Sequence, residues 1–197
     1  MAIQVENISK RFGNQTVLTN LSVEIPLHKI RLAGKNGSGK TTFLKLLARF
    51  EKPDQGVILY PHGVNRIGLL SDCIYYPEML TLEQISHLYL QESVIQADVF
   101  EHYMKVLSLQ PYQKTQAGKL STGTRQKLRV AVALSSTHDM LLLDEPLNGL
   151  DDETADLVIQ ALFEDNRPML IVDHEQRFTV HIQDELRIES GLCSLTR

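Results

Sequence analysis

Gly34-Lys35-Asn36-Gly37-Ser38-Gly39-Lys40-Thr41-Thr42 is the stretch on which the fold turns. It satisfies the spacing G-x-x-x-x-G-K-[ST], and its setting is the one that spacing requires. Ile30 to Ala33 before it reads as a strand, and Thr41 to Phe50 after it carries Phe43, Leu44, Leu46, Leu47 and Phe50 at helical intervals. Glycines let the backbone wrap closely enough for successive N–H groups to point at an anion, through conformations that a side chain would hinder. Lys40 adds a point charge suited to β and γ phosphates, the positive end of the following helix reinforces it, and Thr41 offers a hydroxyl to Mg²⁺.

Working outward, Ile3, Val5 and Ile8, then Val17 to Ile25, alternate as strands do. Gly56 to Tyr60 and Arg66 to Leu70 read as two further short strands. From Thr81 to Leu109 the apolar residues recur at helical intervals, and Thr81 followed by Glu83 and Gln84 resembles a helix start, which predicts a mostly helical insert. A helix is predicted from Ser121 to about Ser135. Met140 to Leu143 and Met169 to Val172 are uninterrupted apolar runs of the kind that parallel strands buried on both faces require. With a helix beginning near Asp151 between them, the order strand, helix, strand points to a parallel α/β core.

A chain of 197 residues, 43% hydrophobic and 22% charged, can bury one full core, and no repeat or low-complexity linker divides it. The net charge of −4 gives no electrostatic footprint for a phosphate backbone, so no nucleic-acid partner is expected. Cys73 and Cys193 stand far apart in no metal-ligand or disulfide pattern, which suits a reducing compartment. There is no signal-like leader and no apolar run of about 18 residues. The expectation is a cytoplasmic chain that does not itself span a membrane.

Asp144 and Glu145 close the run Met140 to Leu143, at the strand end where parallel sheets put their ligands. Asp144 is suited to hold Mg²⁺ and Glu145 to polarise a water that attacks a γ phosphate. Ser121 and Gly123 stand at a predicted helix N-terminus, whose free N–H groups and dipole favour an anion, although Ser121 also reads as a simple cap. His174 follows the second apolar run and Asp173, so it is expected to emerge at the same sheet edge as Glu145. Phe12, shortly after the first strand, offers an aromatic face.

The order of Gly34 to Thr42, Leu120-Ser121-Thr122-Gly123-Thr124, Leu141 to Pro146, Asn148-Gly149-Leu150-Asp151 and His174 resembles that of ABC ATPases from end to end. The resemblance makes these the Walker A loop, the signature, Walker B with its catalytic glutamate, the D-loop and the switch histidine. It implies a P-loop NTPase fold of the ABC type: a mostly parallel central sheet, an N-terminal antiparallel β subdomain and a small helical subdomain. The core and β subdomain would take residues 1–76 and 120–197, the helical subdomain 77–119. It implies ATP and Mg²⁺ as cofactors and a nucleotide sandwiched between two subunits of a homodimer or heterodimer. Phe12, Asn36, Gly37, Ser38, Gly39, Lys40, Thr41, Thr42, Ser121, Gly123 and Asp151 would bind nucleotide. Glu145, His174 and Lys40 would be catalytic, and Thr41, Asp144 and Asp72 would face the metal.

Two departures stand out. Thr122 and Thr124 replace a glycine and a glutamine of the common signature, and Asp72 stands where the family's glutamine loop has Gln. The function implied is the ATP-hydrolysing subunit of a membrane ABC transporter, working with separate transmembrane permease subunits at the inner face of the membrane. Arg125-Gln126-Lys127-Leu128 and the D-loop look like those of bacterial exporter ATPases. The alternative is a soluble ATPase acting on a macromolecular complex, as translation-associated ABC-F proteins do, although those normally carry two such domains.

Overall fold

The computed structural model describes residues 1–71, 77–173, 177–179, 181–189 and 192–196. They fall into two compact units. The first comprises Met1–Leu69, Asp139–Glu145 and Arg167–Arg197, and the second Leu70–His138 and Pro146–Asn166.

The first unit opens with strands β1 (Ala2–Phe12) and β2 (Gln15–Pro26), an antiparallel pair closed by the two-residue turn Gly13-Asn14. Strand β3 (Lys29–Ala33) enters the phosphate loop and helix α1 (Lys40–Leu47) leaves it. Strand β4 (Gln55–Leu59) returns beside β1, giving a three-stranded antiparallel sheet in the order β2-β1-β4. The main sheet adds β5 (Ile67–Leu70), β6 (Met140–Asp144), β7 (Met169–Val172), β8 (Glu185–Glu189) and β9 (Leu192–Thr196). Its order is β5-β6-β7-β3-β8-β9, with β6, β7, β3 and β8 parallel and β9 antiparallel at the edge. The apolar runs behave as expected of strands covered on both faces: Met140 to Leu143 and Met169 to Val172 are all buried.

Helix α1 is shorter than the sequence pattern suggests. Phe43, Leu44, Leu46 and Leu47 are buried, but Phe50 is 66% exposed. The chain turns out of the helix at Arg49, which takes a left-handed φ of 63°, and the Phe50 and Arg49 N–H groups donate back to the Lys45 and Leu46 carbonyls. This is the 6→1 and 5→2 bonding that ends a helix, made here without the usual glycine. The Arg49 guanidinium lies 4.1 Å from the Tyr60 ring centroid, a contact that offsets part of that strain.

The second unit is helical: α2 (Leu82–Gln91), α3 (Ala97–Val106), α4 (Thr122–Ser135) and α5 (Asp152–Glu164), with short 3₁₀ turns at Gln110–Tyr112 and Ala117–Lys119. Thr81 caps α2 in a reciprocal box with Gln84, as its sequence position predicts. Helix α3 packs on α4, and its Phe100 and Met104 are buried. Among the described residues, no helix is long and apolar enough to cross a membrane.

Candidate active site

The phosphate loop runs from β3 to α1 and folds around its own lysine. The Lys40 ammonium, on a residue only 7% exposed, donates to the Gly34 carbonyl at 2.8 Å and the Lys35 carbonyl at 3.0 Å. Burial pushes this ammonium below the ordinary lysine range, and the Asp144 and Glu145 carboxylates pull it part of the way back. Gly39 begins α1 with φ 99°, and a Cβ there would stand 2.8 Å from Leu18 Cδ2, so the loop closes against β2 only because the position is glycine. The side of Gly37 is open, with no atom within 4 Å of where a Cβ would be. The buried Ser38 hydroxyl has no hydrogen-bond partner among the described residues.

Strand β6 delivers the carboxylates to this loop. Thr41 Oγ1 donates to Asp144 Oδ2 at 2.8 Å, and the Glu145 N–H donates to the Val172 carbonyl at 3.0 Å. Glu145 sits at φ 52°, a left-handed conformation that costs a non-glycine residue about 1 kcal/mol or more. Together Val17, Asn36, Gly37, Gly39, Lys40, Thr41, Thr42, Asp144 and Glu145 line a cleft of about 600 Å³. Val17, on β2, is the member that sequence reasoning did not single out. An aliphatic residue in an alternating strand carries no chemical signal, and only its register beside Leu18 brings it here.

The structure therefore gathers most of the loop residues with Asp144 and Glu145 into one cleft in the first unit. Phe12 lies at the end of β1, 46% exposed, and is not part of that lining. His174 and Asp72 lie outside the described residues.

Ser121, Gly123 and Asp151 belong to the second unit. Ser121 caps α4: its Oγ accepts the Thr124 N–H at 3.1 Å and lies 2.8 Å from the Thr124 hydroxyl. Thr124, one of the two departures in the signature, thus joins the cap directly. A Cβ on Gly123 would stand 2.6 Å from the Gly149 carbonyl oxygen, so signature and D-loop meet backbone to backbone. Buried Gln126 strengthens that junction by donating to the Pro146 carbonyl at 2.9 Å. Asp151 caps α5, accepting the Thr154 N–H at 2.9 Å and the Thr154 hydroxyl at 3.0 Å. These bonds from Thr154 hold the Asp151 carboxyl below its ordinary range.

The oxygen donors suit a hard cation. Thr41 Oγ1 and Asp144 Oδ2, 2.8 Å apart, are close to the roughly 3.0 Å edge that adjacent ligands span in an octahedron with ~2.1 Å bonds. Among the described residues, no group of three or more His, Cys, Asp or Glu side chains could hold a metal ion.

The sequence profile of the family described as "ABC transporter" matches residues 18–148. A probable amino-acid ABC transporter ATP-binding protein of Haemophilus influenzae is 30% identical over 212 residues, covering 93% of this chain and 82% of that protein. The spermidine/putrescine import ATP-binding protein of Acetivibrio thermocellus is 32% identical over 165 residues, and 77% of this chain is covered. The match takes in 47% of that relative, so the chain spans about half its length. Among solved structures, a dimeric bacterial ABC transporter cassette superposes with a TM-score of 0.84 at 20% identity, covering 99% of this chain and 98% of that one.

Proposed function

This chain belongs to the ABC transporter family of ATP-binding subunits, and from that premise we propose that it binds and hydrolyses ATP to power a membrane transporter through closure of a dimer. One observation carries the reading: the phosphate loop, Thr41, Asp144 and Glu145 line a single cleft. The family hydrolyses ATP, and the relatives are named as transport ATP-binding proteins, which leaves the translation-associated alternative without support.

In this proposal the N–H groups of Asn36 to Thr42 cradle the phosphates. Lys40 exchanges its two carbonyl contacts for phosphate oxygens, whose negative charge offsets the burial that disfavours its own. The buried Ser38 hydroxyl gains a partner from the same oxygens. Thr41 and Asp144 would hold Mg²⁺, which screens the charge on the phosphates. Glu145 takes the proton of the attacking water, and by resemblance His174 orients that water. Asp72 would approach the same metal. Phe12 stacks on adenine. Ser121 and Gly123 complete the site from the other protomer, a second copy or another ABC ATPase subunit, and Asp151 lines that junction. The segment 77–119 couples the cassette to permease subunits, which would hold it at the inner face of the membrane.

The test is phosphate release from Mg-ATP by the purified chain and by Glu145→Gln. The variant is expected to bind ATP as the native chain does and to lose turnover by at least about 100-fold. Undiminished turnover would remove Glu145 as the base.

A further inference from the structure

Lys10 is a lysine with almost no access to water. It lies on β1 two residues before Phe12 and is 8% exposed, among the few charged residues buried in the described chain. Its ammonium donates to the Lys52 carbonyl at 2.8 Å, pairs with Glu51 at 3.0 Å and approaches Asp54 at 3.9 Å. It also stands 5.2 Å from the centroid of the Phe12 ring, within the range at which a cation is attracted by an aromatic face. Asp54 in turn accepts the Arg11 N–H at 2.7 Å, so the segment that fixes the ammonium also grips the strand between Lys10 and Phe12.

We propose that Lys10 is a positioning residue for the base of the bound nucleotide: its ammonium caps one face of Phe12 and presents the other to adenine. This rests on the reading of Phe12 as the adenine-stacking residue. Phe12 ends its strand beside a two-residue turn and is nearly half exposed, so β-sheet packing alone leaves its ring free to swing. A cation fixed on one side restricts the ring. It also draws π density toward itself, which reduces the repulsion between the opposite face and the electron-rich purine. Three oxygen partners hold the ammonium in place, and the ion pair offsets the cost of burying it. Lys10 touches no reacting atom in this account; it acts through Phe12.

The experiment compares the affinities of ATP and inorganic tripolyphosphate for the native chain, Lys10→Met, Lys10→Arg, Phe12→Ala and the Lys10→Met/Phe12→Ala double variant. Tripolyphosphate has the phosphates without the base. Lys10→Met is expected to weaken ATP about three- to tenfold and leave tripolyphosphate unchanged, with Lys10→Arg near native. In the Phe12→Ala background the same change is expected to cost nothing more. If Lys10→Met weakens both ligands equally, or still weakens ATP without Phe12, Lys10 acts on the fold and the proposal fails. It fails equally if Phe12→Ala weakens ATP while Lys10→Met does not. An unchanged ATP affinity in Phe12→Ala would instead overturn the stacking role of Phe12 itself. Should Lys10→Met not fold, Lys10→Gln, which keeps a donor for the Lys52 carbonyl without the charge, is read in the same way.

Discussion

The phosphate-loop cleft and the signature surface are built from similar parts, glycines and hydroxyls at helix N-termini, yet their side chains are differently engaged. In the cleft the contacts reach across the chain: Thr41 on α1 meets Asp144 on β6, and Lys40 feels both carboxylates. On the signature surface the hydroxyl and carboxylate bonds are local. Ser121 bonds Thr124, and Asp151 bonds Thr154, each three residues on. The first pattern gathers distant parts of one chain around a single cleft. The second is a pair of capped helix ends held together by the approach of Gly123 to Gly149, with dipoles and N–H groups that would acquire a chemical role only if an anion were brought to them.

The contrast can be broken most forcefully at Lys40. Lys40→Ala removes the charge proposed to face the phosphates, and ATP affinity measured by calorimetry is expected to fall at least about 100-fold with little change in melting temperature. Equal affinity in the variant would mean that the backbone cradle alone binds the nucleotide.

Gly123→Ala probes the other region. With the Gly149 carbonyl 2.6 Å from the new methyl, either the signature or the D-loop must shift, and thermal denaturation is expected to show a loss of about 1–3 kcal/mol. ATP affinity of the monomer should survive, because the cleft residues lie in the other unit. Loss of affinity in step with stability would erase the distinction between the two regions.

Asp151→Ala is the mildest change, a lost cap that should lower the melting temperature by a few degrees. Because the folded carboxyl titrates below its ordinary value of 3.8, its contribution is fully present above that value and disappears as pH falls through the lower folded value. The gap between native and variant melting temperatures should therefore close in acid and stay constant at neutral pH.

The cleft was the more legible region in the sequence because its chemistry is written in fixed local spacing. Lys40 and Thr41 follow the glycines directly, and Asp144 and Glu145 follow an apolar run that only a doubly covered strand tolerates. What escaped depended on tertiary approach or on unusual backbone. Val17 reaches the cleft through strand register, Gly123 is required by a carbonyl 26 residues downstream, and α1 stops at Leu47 because Arg49 adopts a conformation usually left to glycine. The β8–β9 pair was also passed over, although Glu185 to Glu189 alternates polar and apolar residues as a strand should.

The central claim is that the cleft is half of a site that a second protomer completes. Its most direct test is the solution mass of Glu145→Gln, by light scattering with and without Mg-ATP. The account predicts a 22.3 kDa monomer without nucleotide and a dimer of twice that mass with it, abolished by adding Ser121→Arg, which leaves the phosphate loop intact. A monomer at saturating ATP, or a dimer indifferent to both nucleotide and Ser121, would contradict it.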